Sequence, residues 1–302
     1  MNDNNYDFLA KQLMYTGFPD NMAKDLKEKM QTGDAAFVLT HQSSIKKDEV
    51  NATLFFKKSE GSDKYFFNSY HMNVKTETNP AGIGQTFYIS NKKFQEGEEK
   101  HKRDFSFKEG YNLLARADSP EEQRFVYGKW MNKTGEVYAA WKGLNADETD
   151  KNGNHLLKLF HDSYGFKLEK GLEQLQIKAS DKNDPTLLAS LQRGNLHSVK
   201  NDAGEIMYIS AFPPGRRINL FDKDMKLVNG KENKETLSQI SSNGNGQQQS
   251  QQNVAVNEKT IGVVAEPVEG MGKKEKNVSR RTASGNGGDE LEGSARKRGR
   301  GR

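Results

Sequence analysis

Every phenylalanine, tyrosine and tryptophan in this 302-residue chain lies at or before Phe221. The 72 residues after Gly230 hold none, and only 15 of them are hydrophobic. Ordering a backbone costs on the order of 1–2 kcal/mol per residue, and burial of large apolar groups offsets that cost. Residues 231–302 open near the glutamine and asparagine tracts of Ser241 to Asn253 and are expected to be a disordered, low-complexity tail. A core can form only upstream.

Charge divides at the same place. The chain has 46 basic and 41 acidic residues, a net charge of +5. Thirteen and nine of these lie in 231–302, which leaves 33 against 32 upstream. The folded part is therefore near neutral, with no compositional sign of a broad basic face. The tail ends in five cations, Arg296, Lys297, Arg298, Arg300 and Arg302, with no acid among them. A flexible cationic end binds polyanions by counterion release, without sequence preference. These five are candidates for nucleic-acid contact; a solubilising terminus is the plainer reading.

Cysteine is absent, so disulfides, a cysteine nucleophile and thiolate metal sites are excluded. No apolar run approaches the roughly 18–20 residues that span a bilayer. Met1 to Asp7 is polar, with no basic stretch leading into an apolar one, so no secretory signal is read there. A cytoplasmic location and no membrane partner are expected.

Upstream of the tail the pattern is mixed. Residues 5–16 read as a helix ending at Gly17, and Pro19 opens a second with Met22, Leu26 and Met30 on one stripe, ending at Gly33. Strands are expected at Ala36–His41, Ala52–Lys57, Tyr65–Val74 and Gln85–Ser90. Ser106 and Glu109 have the spacing of a capping box. Arg124–Met131 and Glu136–Leu144 form a hairpin across Asn132-Lys133-Thr134-Gly135, and Asn145–Asn154 is a polar loop. Leu168, Leu172 and Leu175, then Leu187, Leu188 and Leu191, mark helices that close at Gly194. Leu196–Lys200, Ile206–Phe212 and Arg217–Phe221 are the last strands.

Gly17-Phe18 and Gly165-Phe166 each precede helical sequence that ends in a glycine and is followed by strands. The expected fold class is α+β, in two repeated modules of short helices on a small antiparallel sheet. The expected domains are 5–104, 105–230 with the aromatic hairpin, and the tail 231–302.

Standard catalytic patterns are missing. The chain has no phosphate loop, dinucleotide fingerprint, H-E-x-x-H or G-x-S-x-G. The acidic loop from Asp147 lacks the terminal glutamate of a calcium loop, with Leu159 in its place. No catalytic residue, metal or cofactor is assigned. Besides the tail, the hairpin could touch nucleic acid: Tyr127, Trp130, Tyr138 and Trp141 are interleaved with Arg124, Lys129, Lys133 and Lys142. Exposed, Trp130 and Trp141 would stack bases while Lys129 and Lys142 track phosphates. The other reading makes both tryptophans core.

Several segments in order carry a resemblance: Lys64 to Asn68, Gln85 to Ile89, Tyr111-Asn112-Leu113-Leu114, Asn132 to Trp141, Phe160 to Phe166, Leu191-Gln192-Arg193-Gly194-Asn195 and Asn219-Leu220-Phe221-Asp222. Together, over roughly residues 9–228, they resemble a bacterial domain-of-unknown-function family carried on conjugative and other mobile elements. Its members often accompany or are fused to topoisomerase-like proteins and commonly end in basic tails. The resemblance implies a setting in DNA handling, with no catalytic residues to carry over. The expected function is a non-enzymatic accessory protein of a mobile element. It would associate with nucleic acid, without sequence preference, and with a DNA-processing protein. A protein-interaction module with no nucleic-acid role, and an enzyme with an unrecognised site, are the alternatives.

Overall fold

Helix α1 (Asp3–Thr16) begins where the Asn2 side chain accepts a hydrogen bond from the Asn5 amide. It ends where Gly17 turns left-handed, at φ +92°, a conformation open to glycine at no steric cost. Helix α2 (Met22–Thr32) buries the expected stripe of Met22, Leu26 and Met30 and stops at Gly33, again left-handed. These helices cover a four-stranded antiparallel sheet in sequence order: β1 (Ala36–Ile45), β2 (Asp48–Lys58), β3 (Tyr65–Lys75) and β4 (Ile83–Tyr88). Asn5 ties α1 to this sheet: its amide nitrogen donates to the Tyr65 carbonyl at 3.0 Å and its oxygen accepts from the Tyr65 amide at 2.7 Å.

The computed structural model describes residues 1–91, 96–102 and 104–229, all within one compact unit. The tail expected to be disordered, with Arg296, Lys297, Arg298, Arg300 and Arg302, lies outside the described residues.

Helix α3 (Phe107–Leu114) opens on the predicted capping box, the Ser106 amide donating to the Glu109 carboxylate at 2.9 Å. The hairpin follows as β5 (Val126–Met131) and β6 (Val137–Thr149), turned by the Asn132 side chain, which accepts from the amides of Thr134 and Glu136. A strand that the sequence reading missed, β7 (His155–His161), joins β6 to make a second antiparallel sheet, β5-β6-β7. Its sequence, His-Leu-Leu-Lys-Leu-Phe-His, does not alternate apolar and polar residues, so period-two reasoning had nothing to detect.

Gly165 then turns left-handed and Phe166 is buried, as at Gly17 and Phe18. Short helices α4 (Leu168–Glu173), α5 (Ala179–Lys182) and α6 (Leu187–Gln192) end at Gly194, at φ +73°. The antiparallel meander β8 (His197–Lys200), β9 (Ile206–Phe212) and β10 (Arg217–Phe221) forms the third sheet. The mixed α+β class is as expected, with three small sheets.

Two apolar clusters form. The first gathers α1, α2, the four-stranded sheet, α3 and Trp130, Ala140 and Leu144. The second gathers Phe125, Trp141 and Phe160 with α4, α6 and the last sheet. Ala140 and Trp141 are neighbours on β6, and strand alternation sends them to opposite faces. The middle sheet is thus a partition shared by both cores. At Gly143 the backbone of β6 lies against the Phe125 ring, in space that a side chain would fill.

Candidate anion-binding pocket

The hairpin is no stacking platform. Trp130 and Trp141 are each only 4% exposed. Trp130 Nε1 donates to the Ala140 carbonyl at 3.0 Å, and its face is covered by Lys142 Nζ, 4.3 Å from a ring centroid. Trp141 packs on Tyr127 and Phe166, with centroids 5.1 and 5.5 Å away. The core reading of both tryptophans holds; stacking would need one wet face on the hairpin, whereas both faces are covered by cores. Lys142, 5% exposed, is enclosed with Trp130 and cannot track a phosphate backbone. Lys129 is at the surface, paired with Glu99 at 2.8 Å. The four hairpin residues therefore do not converge on one surface.

A different set does converge, in a cavity of about 220 Å³ where segments from both cores meet. Arg124, just ahead of β5, forms its floor and is 8% exposed. Nη1 donates to Asn112 Oδ1 at 3.3 Å, and the Tyr111 phenol lies beside the guanidinium. A guanidinium has five N–H donors, so donors remain to face the cavity. Lys108, Tyr111 and Asn112 come from one side of α3, spaced i, i+3, i+4. Lys108 Nζ sits 4.5 Å over the Tyr111 ring.

Lys46 completes the rim from the two-residue turn between β1 and β2, bracketed by the Ile45–Asp48 pair. Its φ is +57°, where such turns usually place asparagine or glycine. A left-handed residue with a Cβ costs roughly 1–2 kcal/mol. Backbone strain of this kind collects at functional sites.

The far wall is Ser190 on α6, then Asn195 and Leu196. Asn112 Nδ2 donates to the Arg193 carbonyl at 2.9 Å and to Asn195 Oδ1 at 2.8 Å. Gly194 makes this closure possible: a Cβ there would stand 2.9 Å from the Phe125 carbonyl oxygen. Asn195 Nδ2 donates to Ser190 Oγ at 3.3 Å, and Ser190 Oγ meets His197 Nδ1 at 3.0 Å. Arginine can only donate, which fixes the direction of the bonds as far as Ser190. Protons point from Arg124 to Asn112 to Asn195 to Ser190, whose hydroxyl can give or take the proton shared with His197 Nδ1; His197 Nε2 lies 3.9 Å from Asp184.

No family model, curated protein or solved structure matches this chain.

Cations outnumber acids around the pocket, with Asp48 opposing them at Lys46 and Arg124. Burial lowers the Lys46 and Lys108 pKa values, and neighbouring cations lower them further: Arg124 and Arg116 act on Lys46, Arg124 and Lys46 on Lys108. Burial also lowers that of Arg124. The acid at the site is Asp48, which accepts from the Tyr111 phenol at 2.8 Å. Burial, then this hydrogen bond, pushes the Tyr111 pKa up to about 12. Arg116, close by, pairs with Glu122 at 3.5 Å. Among the described residues no carboxylate lies within 4.0 Å of the charged nitrogens of Lys46, Lys108 or Arg124. The cavity therefore carries an excess of positive charge.

Sequence reasoning had Arg124 in view only as part of the hairpin. Lys46 and Lys108 carry no local signal, because they lie 62 positions apart in the chain. A usable hint existed in Tyr111-Asn112 and Arg193-Gly194-Asn195. Both belong to the segments that carry the resemblance, and Asn112 bonds to Arg193 and Asn195 here.

Proposed function

We propose that the protein is a non-enzymatic accessory factor of a mobile element that associates with nucleic acid, and that its folded part does so by taking phosphate into the Lys46–Lys108–Arg124 pocket. One observation carries the reading: Arg124 is buried with donors to spare and no carboxylate within 4.0 Å, Asp48 acting on it only from beyond that distance. Removing such a charge from water costs several kcal/mol unless a counter-charge compensates. A phosphate would supply that counter-charge, and guanidinium geometry suits it. The mobile-element setting rests on resemblance and is analogy. The five tail cations would add sequence-independent phosphate contacts.

The test is DNA binding by the full chain across a salt series, by fluorescence anisotropy. Each phosphate contact contributes about 0.9 to the salt slope. Lys46→Gln with Lys108→Gln should lower the slope by about 2, and neutralising the five tail cations by about 4–5. Absence of any DNA binding would leave the protein-interaction reading.

One observation favours a second reading, an enzyme. Ser190, His197 and Asp184 stand in the order of a hydroxyl–imidazole–carboxylate relay, at 3.0 and 3.9 Å. Ester hydrolysis lost in Ser190→Ala, with anion binding retained, would establish it.

A further inference from the structure

We infer that this pocket selects a terminal phosphomonoester, the phosphate at the end of a nucleic-acid strand, over the phosphodiesters within it. The inference rests on the nucleic-acid reading above and narrows it.

Charge is the first argument. Lys46, Lys108 and Arg124 stand against Asp48, with neighbouring Arg116 paired to Glu122, which leaves two positive charges. A phosphodiester or a carboxylate carries one negative charge and would leave one of the two positive charges uncompensated. A phosphomonoester near neutral pH carries about 1.5 to 2, its second pKa lying near 6. The dianion is the species that balances the site.

Shape is the second. Arg124 lies at the floor, while Lys46 and Lys108 form an exposed rim. A phosphate within a strand has a sugar on either side, which would hold it at the rim. A terminal phosphate has three free oxygens. One edge can reach the Arg124 fork while the third oxygen meets the rim lysines. The volume agrees: about 220 Å³ is below the roughly 300–1,000 Å³ of pockets that enclose whole small-molecule ligands. A phosphoryl group enters and the rest of the strand stays outside.

The wall is the third. The hydrogen-bonding atoms of Asn112 and the amide of Asn195 are committed to each other and to Arg193 and Ser190. They hold the wall in place and offer little to read a base. Recognition would be of the phosphate, indifferent to the nucleotide that bears it.

The experiment uses the full-length protein and one single-stranded DNA sequence in three forms: 5′-phosphorylated, 3′-phosphorylated, and hydroxyl at both ends. The fluorophore is placed internally so that both ends are free. Anisotropy titrations near physiological salt should show at least one phosphorylated strand binding ten-fold or more tightly than the hydroxyl strand. Lys46→Gln with Lys108→Gln, both at the surface, should abolish that preference while weaker binding of all three strands persists. Arg124→Gln should do the same if it folds, and the lysine pair decides the matter if it does not. Equal affinity for the three strands overturns the end-recognition inference and leaves nucleic-acid association standing. No binding of any strand overturns both. A mononucleotide that competes as tightly as the phosphorylated strand binds would overturn the assignment to strand ends in favour of free nucleotides.

Discussion

Asn112 Nδ2 donates to Asn195 Oδ1 at 2.8 Å, joining helix α3 in the first core to the connection between α6 and β8 beside the second. The same side chain also donates to the Arg193 carbonyl and accepts from Arg124, and it is wholly buried. Both cores are therefore held to the pocket wall through one amide.

Asn112→Leu keeps the volume and removes all three hydrogen bonds. An unsatisfied buried polar group costs about 1–3 kcal/mol. With Arg124, Arg193 and Asn195 each losing a partner, the expected destabilisation is about 2–4 kcal/mol. Urea unfolding of the full chain measures it. A change below 0.5 kcal/mol would mean that the amide does not bridge the two cores.

The buried tryptophans make an optical prediction. Single-stranded DNA should leave the emission maximum and intensity of Trp130 and Trp141 unchanged at saturation, since neither ring can meet a base. Trp130→Ala or Trp141→Ala should each cost about 3–5 kcal/mol of stability, as expected for an emptied aromatic site in a core. Strong quenching on DNA addition would restore the stacking interpretation.

What was legible in the chain was local. Gly17 and Gly33 as left-handed caps, the Met22–Leu26–Met30 stripe and the Ser106–Glu109 box are each decided within a few residues, and each appears as read. The surface of the hairpin was not legible. Trp130 and Trp141 have the same sequence pattern whether one face is wet or both are covered, and only β7 and the second core decide that. The pocket was less legible still. It needs the turn at Lys46, the helix at Lys108 and the bend at Asn195 to meet, and no spacing along the chain records that meeting.

Phosphate affinity should pass through a maximum in pH. The Lys46 and Lys108 pKa values lie below the ordinary 10.5 in the free protein, chiefly through burial. An anion needs them charged. Affinity is therefore complete below these lowered values and falls as pH rises through them. On the acid side it falls below about pH 6, where the monoester takes up its second proton. Stability of the free protein follows the opposite sign. Between the lowered lysine values and 10.5 the unfolded chain holds more protons, so these two groups favour folding more as pH rises. Titration of phosphorylated-strand affinity from pH 5 to 10 tests the maximum, and an affinity that rises steadily to pH 10 would contradict it.

Two glycines separate backbone strain from close approach. Gly33 and Gly194 have nearly the same conformation, φ +78° and +73°. A Cβ at Gly33 would meet nothing within 4 Å, whereas at Gly194 it would stand 2.9 Å from the Phe125 carbonyl and 3.5 Å from the Asn112 Cβ. Gly33→Ala should therefore cost only the left-handed conformation, about 1 kcal/mol. Gly194→Ala should cost that and the displacement of the wall, at least about 1 kcal/mol more, since neither the backbone oxygen nor the enclosed Asn112 can move freely. The displaced segment carries Asn195 away from Asn112 and loosens the floor around Arg124. Gly194→Ala should thus also weaken capture of a phosphorylated strand, an effect that Gly33→Ala, outside the pocket, should not produce. Urea unfolding and strand titration on both variants give the comparison. Equal losses in both would show that the pocket wall does not depend on the approach of Gly194 to Phe125.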